Sequence, residues 1–149
     1  REDLRFSGIP SFAPEILRRV RLDDPMRAKQ LRRALEDLAE EGVTQVFRPL
    51  SGAPPIVGVV GPLQLDVLSA RIKAEYGLAM GFEEAPYETA RWVGAEDLAD
   101  LERFRVRQRA SLAKDCDGAP VFLARDQWEL NYTEQREKAV KFTATRERA

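Results

Sequence analysis

The sequence predicts an α+β fold, a ferredoxin-like split βαβ sheet carrying an additional C-terminal α/β unit. Three observations predict it. Runs of period two and runs of helical spacing follow one another over 15–83 in the order strand, helix, strand, strand, helix, strand. Between the two central strands lies Ser51-Gly52-Ala53-Pro54-Pro55, a connection of hairpin length and turn chemistry. With 44% hydrophobic residues in a chain of 149, a core can form without a metal or a disulfide.

Residues 5–14 mix Gly8, Pro10 and Pro14 with Phe6, Ile9 and Phe12, which predicts an ordered lead-in segment with docked aromatics. Residues 15–22 read as a strand with Ile16, Val20 and Leu22 on one parity and Arg19 and Arg21 on the other; Arg18 breaks the pattern. Asp24-Pro25 starts a helix through Leu31, Leu35 and Leu38 that Gly42 ends. Residues 44–50 and 56–60 form the hairpin, and Gly61-Pro62 opens a second helix through Leu65, Leu68, Ile72 and Tyr76 to Gly77. Strands follow at 78–83 and 89–93.

Past Gly94 the pattern predicts a third helix over 96–113, a turn at Asp115-Cys116-Asp117-Gly118, and a strand at 121–124. A last helix over 127–136 and a strand over 140–145 end the chain. The domain reading is a lead-in segment at 1–14, a ferredoxin-like subdomain at 15–93, and an α/β extension at 94–149 packed on it. No internal repeat stands out. Leu35, Leu38, Val46, Val57, Val59, Leu68, Ile72 and Trp92 are expected to share one core. Trp92, Trp128, Phe47 and Tyr76 could serve as base-stacking platforms, but core packing is their expected role.

Several chemistries have no residues to carry them. The chain has no His, which removes the commonest general base and the commonest metal ligand, so neither a metal site nor a catalytic residue is expected. Cys116 stands between two aspartates that disfavour its thiolate, and a lone cysteine makes no internal disulfide. A Gly-x-x-x-x-Gly-Lys-Ser/Thr phosphate loop is missing, so no cofactor is expected in this chain. No apolar run is long enough for a membrane span, which with the lone cysteine predicts a cytoplasmic protein. The chain opens Arg1-Glu2-Asp3-Leu4 without an initiator Met, which reads as a cut inside a longer protein. With 24 Lys+Arg against 25 Asp+Glu, bulk charge attracts no polyanion, and any nucleic-acid contact must come from local clusters.

A resemblance sharpens this reading. Phe12-Ala13-Pro14-Glu15, Arg18-Arg19-Val20-Arg21-Leu22, Glu40-Glu41-Gly42 and Gln45-Val46-Phe47-Arg48-Pro49 occur in that order. Val57-Gly58-Val59-Val60-Gly61-Pro62-Leu63-Gln64-Leu65-Asp66-Val67, Ala70-Arg71-Ile72-Lys73-Ala74-Glu75-Tyr76 and Ala90-Arg91-Trp92-Val93 follow. Together, from about Leu4 to Arg146, they resemble the C-terminal region of bacterial peptide chain release factor three, a class II release factor and translational GTPase. The segment 61–66 is also similar to the corresponding domain of elongation factor G. The resemblance implies a ribosome-binding domain whose partners are rRNA, ribosomal proteins, and the factor's own GTP-binding and β-barrel domains. GTP and Mg would belong to that missing amino-terminal domain. The implied role is to promote departure of class I release factors after translation termination.

The residues expected to meet RNA are arginines and one lysine in three groups. Arg18, Arg19 and Arg21 share one strand and Arg48 ends another; arginine suits bidentate phosphate contact. Lys29, Arg32 and Arg33 lie early in the first helix while Glu36, Asp37, Glu40 and Glu41 crowd its end, against the helix macrodipole. Either partner recognition or an internal ion-pair network explains that inversion. Arg103, Arg105, Arg107 and Arg109 crowd the end of the third helix, where the dipole alone accounts for them. The alternative function is a ferredoxin-like regulatory module with a small ligand in a pocket of convergent polar groups.

Overall fold

The computed structural model describes residues 10–147. The first half holds β1 (Pro10–Phe12), β2 (Ile16–Leu22), α1 (Ala28–Glu40), β3 (Gln45–Pro49), β4 (Ile56–Val59), α2 (Leu63–Tyr76) and β5 (Met80–Glu84). The second half holds β6 (Thr89–Gly94), α3 (Leu98–Arg107), β7 (Leu112–Lys114), β8 (Pro120–Ala124), α4 (Gln127–Arg136), β9 (Lys141–Thr143) and β10 (Thr145–Glu147). Local chemistry sets several boundaries. The Asp24 carboxylate accepts from the Met26 amide at 3.0 Å and caps a short 3-10 turn that leads into α1. Gly77 closes α2 in the left-handed conformation at φ 65°, its amide donating to Lys73 O.

Eight strands form one antiparallel sheet in the order β5-β2-β4-β3-β7-β8-β6-β9. Its left half is the ferredoxin-like arrangement of strand-helix-strand-strand-helix-strand. The right half repeats the same succession, β6-α3-β7-β8-α4-β9, with the sheet order reversed. The molecule is therefore two split βαβ units joined through the equivalent edge strands β3 and β7, which pair Arg48 with Lys114 and Pro49 with Ala113. Because those edge strands run antiparallel, the pseudo-two-fold axis stands perpendicular to the sheet, and both helix pairs cover the same face. Joining them also removes two edges whose unpaired amides invite association.

The α/β extension thus continues the first sheet edge to edge as well as packing on it across the helix-free face, and strand 89–93 belongs to the second unit. Sequence pattern misses this repeat because the units share topology and little composition. One trace survives in Leu17-Arg18-Arg19-Val20 and Ala90-Arg91-Trp92-Val93. In both, the arginine Nη1 donates to the carbonyl just before it, at 2.9 Å in Arg18 and 2.8 Å in Arg91.

Alternation along the strands divides the interior into three parts. On the helix-covered face of the first unit, Leu35, Leu38, Val46, Val57, Leu68 and Ile72 form one core with Val20, Leu31 and Leu78. On the same face of the second unit, Phe104, Phe122, Leu112, Leu130 and Val140 form another, where the rings of Phe104, Phe122 and Phe142 meet with centroids 5.7–6.0 Å apart. The helix-free face curls on itself, so that Leu17, Phe47 and Ile56 pack with Ala90, Trp92, Ala113, Val121 and Leu123 from the other unit. Trp92 therefore sits on the opposite face from the core expected for it, because its parity on β6 is that of Ala90 and not of Val93. Pro14 lies under this face, where a Cβ on Gly58 would fall 2.5 Å from Pro14 Cγ.

Three further expectations are corrected. The third helix stops at Arg107, and 112–114 is strand β7, a three-residue element that pairing with β3 and β8 specifies more than its own sequence does. The last strand splits at Ala144 into β9, which pairs with β6, and β10, which pairs with β1. Of the lead-in apolar residues, Phe6 and Ile9 lie outside the described residues, and Phe12 is 61% exposed and so undocked.

Tyr76 ties α2 to α1, its hydroxyl donating to Asp37 Oδ2 at 2.9 Å. That bond, with desolvation behind it, holds the phenol above its ordinary value of 10.0. A group whose pKa is raised by folding adds stability that is complete below the unfolded value and is lost as pH climbs past it. Urea midpoints measured from about pH 8 to 11 should therefore fall more steeply in the wild type than in Tyr76→Phe. Parallel curves would show that the bond makes no contribution.

Candidate nucleic-acid interface

The candidate site follows from the end of β2, where its residues come out of the sheet. Parity puts Arg19 and Arg21 on the helix-free face and Arg18 on the other, in line with the period-two pattern. Arg19 pairs with Glu83 at 3.1 Å and Arg21 with Asp23 at 3.6 Å. The Arg21 guanidinium lies over Gly81, where no Cβ stands in its way.

An open groove of about 630 Å³ runs beside these residues. Its walls are the end of β2, the start of α1, the 51–55 turn and the end of β3, so Arg19, Arg21, Arg32 and Arg48 all line it, with Glu83 as the one carboxylate. Lys29 and Arg33 stand exposed on α1, and with Arg32 they make no ion pair among the described residues. The first turn of α1 carries no acidic side chain, so its positive dipole end adds to the arginines. The acidic end of α1 is compensated: Glu36 pairs with Arg48 at 3.1 Å, Glu41 with Arg71 at 3.1 Å, and Asp37 holds Tyr76. Arg71 is shared with Glu75 at 2.8 Å, which raises the guanidinium pKa and lowers that of the Glu75 carboxyl. The ion-pair explanation of the inverted helix thus holds at its acidic end.

The pseudo-symmetric position in the second unit has a mixed charge. A groove of about 890 Å³ lies at the end of β6, the start of α3 and β9. Where the first groove has arginines at the start of its helix, this one has Glu96, Asp97 and Asp100. Asp97 caps α3, its Oδ1 accepting from the Ala99 amide at 2.9 Å. Lys138, Lys141 and Arg146 line the other wall. Both grooves are open clefts.

The arginines of the third helix are engaged locally. Arg103 bonds to Asp100, Arg105 to Glu102 at 3.3 Å, Arg107 to Glu137, and Arg109 Nη2 donates to Leu50 O at 3.3 Å across the junction between the units. They do not line the β2–α1 groove.

Among the aromatics, Phe47 and Trp92 are buried as expected, and Trp92 Nε1 donates to Asp115 Oδ2 at 3.0 Å. Trp128 departs from expectation, being 68% exposed. It stacks on Tyr132 one turn along α4, and Arg136 lies one turn further. Sequence reasoning assigns Trp128 to the core and misses its partners Tyr132 and Arg136, although the signal was there: 128, 132 and 136 share one helical stripe, and Leu130 and Thr133, the buried residues, lie off it. Among the described residues no cluster of metal-binding side chains occurs, and no helix is long and apolar enough to cross a membrane.

A family model described as the class II release factor RF3, C-terminal domain, matches residues 6–134 of this chain.

Proposed function

We infer, from a chain that belongs to the family of class II release factor RF3 C-terminal domains, that its task is to engage the ribosome. Membership places it in protein biosynthesis, at translation termination, as a domain associated with a translational GTPase. The finer reading is ours. The domain docks on ribosomal RNA through the β2–α1 groove, acts beside GTP-binding and β-barrel domains in the cytoplasm, and helps clear class I release factors from the decoding site. It binds no guanine nucleotide and catalyses nothing itself; GTP and Mg belong to the companion domain.

The observation that carries the RNA reading is the contrast between the two pseudo-equivalent grooves. In the same place in the fold, one groove gathers four arginines against the single carboxylate of Glu83, and the other sets Glu96, Asp97 and Asp100 against Lys138, Lys141 and Arg146. Stability alone asks for no such difference. The ion pairs of Arg19 and Arg21 lie at the surface, where such pairs contribute ~0–1 kcal/mol, so phosphate can replace the carboxylates at little cost. An open cleft also suits an extended polyanion better than the enclosed pocket a small regulatory ligand needs.

Sedimentation of the 149-residue chain with purified ribosomes across a salt series tests this. Binding should weaken linearly in log K against log salt, as counterion release requires. Failure to sediment at low salt would overturn the reading. In calorimetry with GTP and GDP the same chain should give no heat of binding, and micromolar affinity would refute that part alone.

A further inference from the structure

Helix α4 presents Trp128, Tyr132 and Arg136 on one exposed stripe, and nothing in the fold requires them there. The Trp128 and Tyr132 rings stack with centroids 5.1 Å apart and planes 9° from parallel. On the other side of Tyr132 along the helix, the Arg136 guanidinium carbon lies 5.5 Å from the ring centroid, and Nη1 donates to the Tyr132 hydroxyl at 2.8 Å. The trio is a ready-made column with a cation at one end. At its other end the indole face turned away from Tyr132 is open, as the exposure of Trp128 requires.

Charge around the column selects what it fits. Glu129 is paired with Arg125 at 3.2 Å, Glu137 with Arg107, and Asp126 accepts from the Glu129 amide at 2.8 Å as the helix cap. Among the charges of this stretch that make no ion pair among the described residues, Arg136 and Lys138 lie towards the end of the helix with Glu134, and Asp126 is the cap at its start. A parallel pair of rings backed by a guanidinium matches the two parts of a nucleotide, a π face and a phosphate.

We propose that Trp128, Tyr132 and Arg136 form a stacking platform for an unpaired RNA nucleotide, the indole taking the base and the guanidinium the adjoining phosphate. This rests on the reading of the chain as a ribosome-engaging domain and adds a second contact, in the other unit from the β2–α1 groove. Stacking reads no sequence, so the platform takes any unpaired base.

The test uses dye-labelled oligoadenylate, which is single-stranded and stacks well; its anisotropy gives the affinity of the whole chain and of each variant, and tryptophan quenching in the wild type locates the contact. Trp92 is buried, so quenching reports Trp128. Wild type and Trp128→Phe, which keeps an aromatic ring, should bind within about threefold of one another, and Trp128→Leu, equally apolar but not planar, should bind about tenfold or more weakly. Unfolding curves confirm that each variant is folded. Leucine binding as well as phenylalanine, or no quenching up to millimolar nucleotide, overturns the proposal. Ribosome sedimentation of the same proteins separates the two levels. Loss of wild-type binding refutes the ribosome reading. Salt-dependent binding equal in the phenylalanine and leucine variants leaves that reading standing and refutes the platform. Ribosome binding weakened equally in both, without any response to oligoadenylate, marks an apolar contact with protein and refutes it too.

Discussion

Phe47→Ala should destabilise the chain by ~3–5 kcal/mol, the usual loss when a fully buried phenylalanine is truncated. Phe47 has no exposed surface and belongs to the cluster that the helix-free face makes from both units. Its ring also lies against Gly58, so little can move in to fill the space: a Cβ there would come 3.1 Å from Phe47 Cε2. The same residue makes the units interdependent. In a Trp128→Phe background the remaining indole, Trp92, reports the second unit, while circular dichroism reports the whole. Both midpoints should drop together by about 1–3 M urea in Phe47→Ala. A drop confined to the first unit would show that the junction couples the halves weakly. A loss under about 1 kcal/mol would place Phe47 outside any shared core.

How far the sequence carries depends on whether a signal is local. The first unit is legible because each of its elements announces itself: Asp24-Pro25 and Gly77 mark helix ends, and 51–55 carries hairpin chemistry. The parity of Arg19 and Arg21 against Val20 is a period-two pattern, so the face they occupy is readable too. Strand β7 is not, since Leu112-Ala113-Lys114 continues a helical pattern and becomes strand only by meeting β3 and β8. Without β7 the junction of the units disappears, and with it the doubled topology and the reassignment of β6. The site divides the same way. That arginines gather near β2 is legible; that Arg32 from α1 and Arg48 from β3 share a groove with them is a long-range fact. The compensation of Glu36 and Glu41 by Arg48 and Arg71 is equally long-range, which is why the inverted charge of α1 admits two explanations in sequence.

Replacing Arg19, Arg21 and Arg32 together with Gln should lower ribosome affinity about 10- to 100-fold and flatten the salt dependence by roughly two to three in slope. Each guanidinium that meets a phosphate releases about one counterion, so the slope counts contacts where affinity alone does not. Glutamine keeps much of the aliphatic stem that covers neighbouring surface while removing the charge. Arg48 is left intact because it pairs with Glu36 and stands opposite Lys114 at the junction, where its loss would confuse fold with binding. Arg18 is omitted because it lies on the other face and bonds to its own neighbour's carbonyl. The matched control replaces Arg103, Arg105 and Arg107, which removes the same charge from residues engaged with Asp100, Glu102 and Glu137. If affinity follows net charge alone, the two triple variants lose equally. If the groove is the contact, the first loses affinity and slope while the control changes little. A folded groove variant with wild-type affinity and slope would make these arginines structural and move the search for the RNA contact to the third helix.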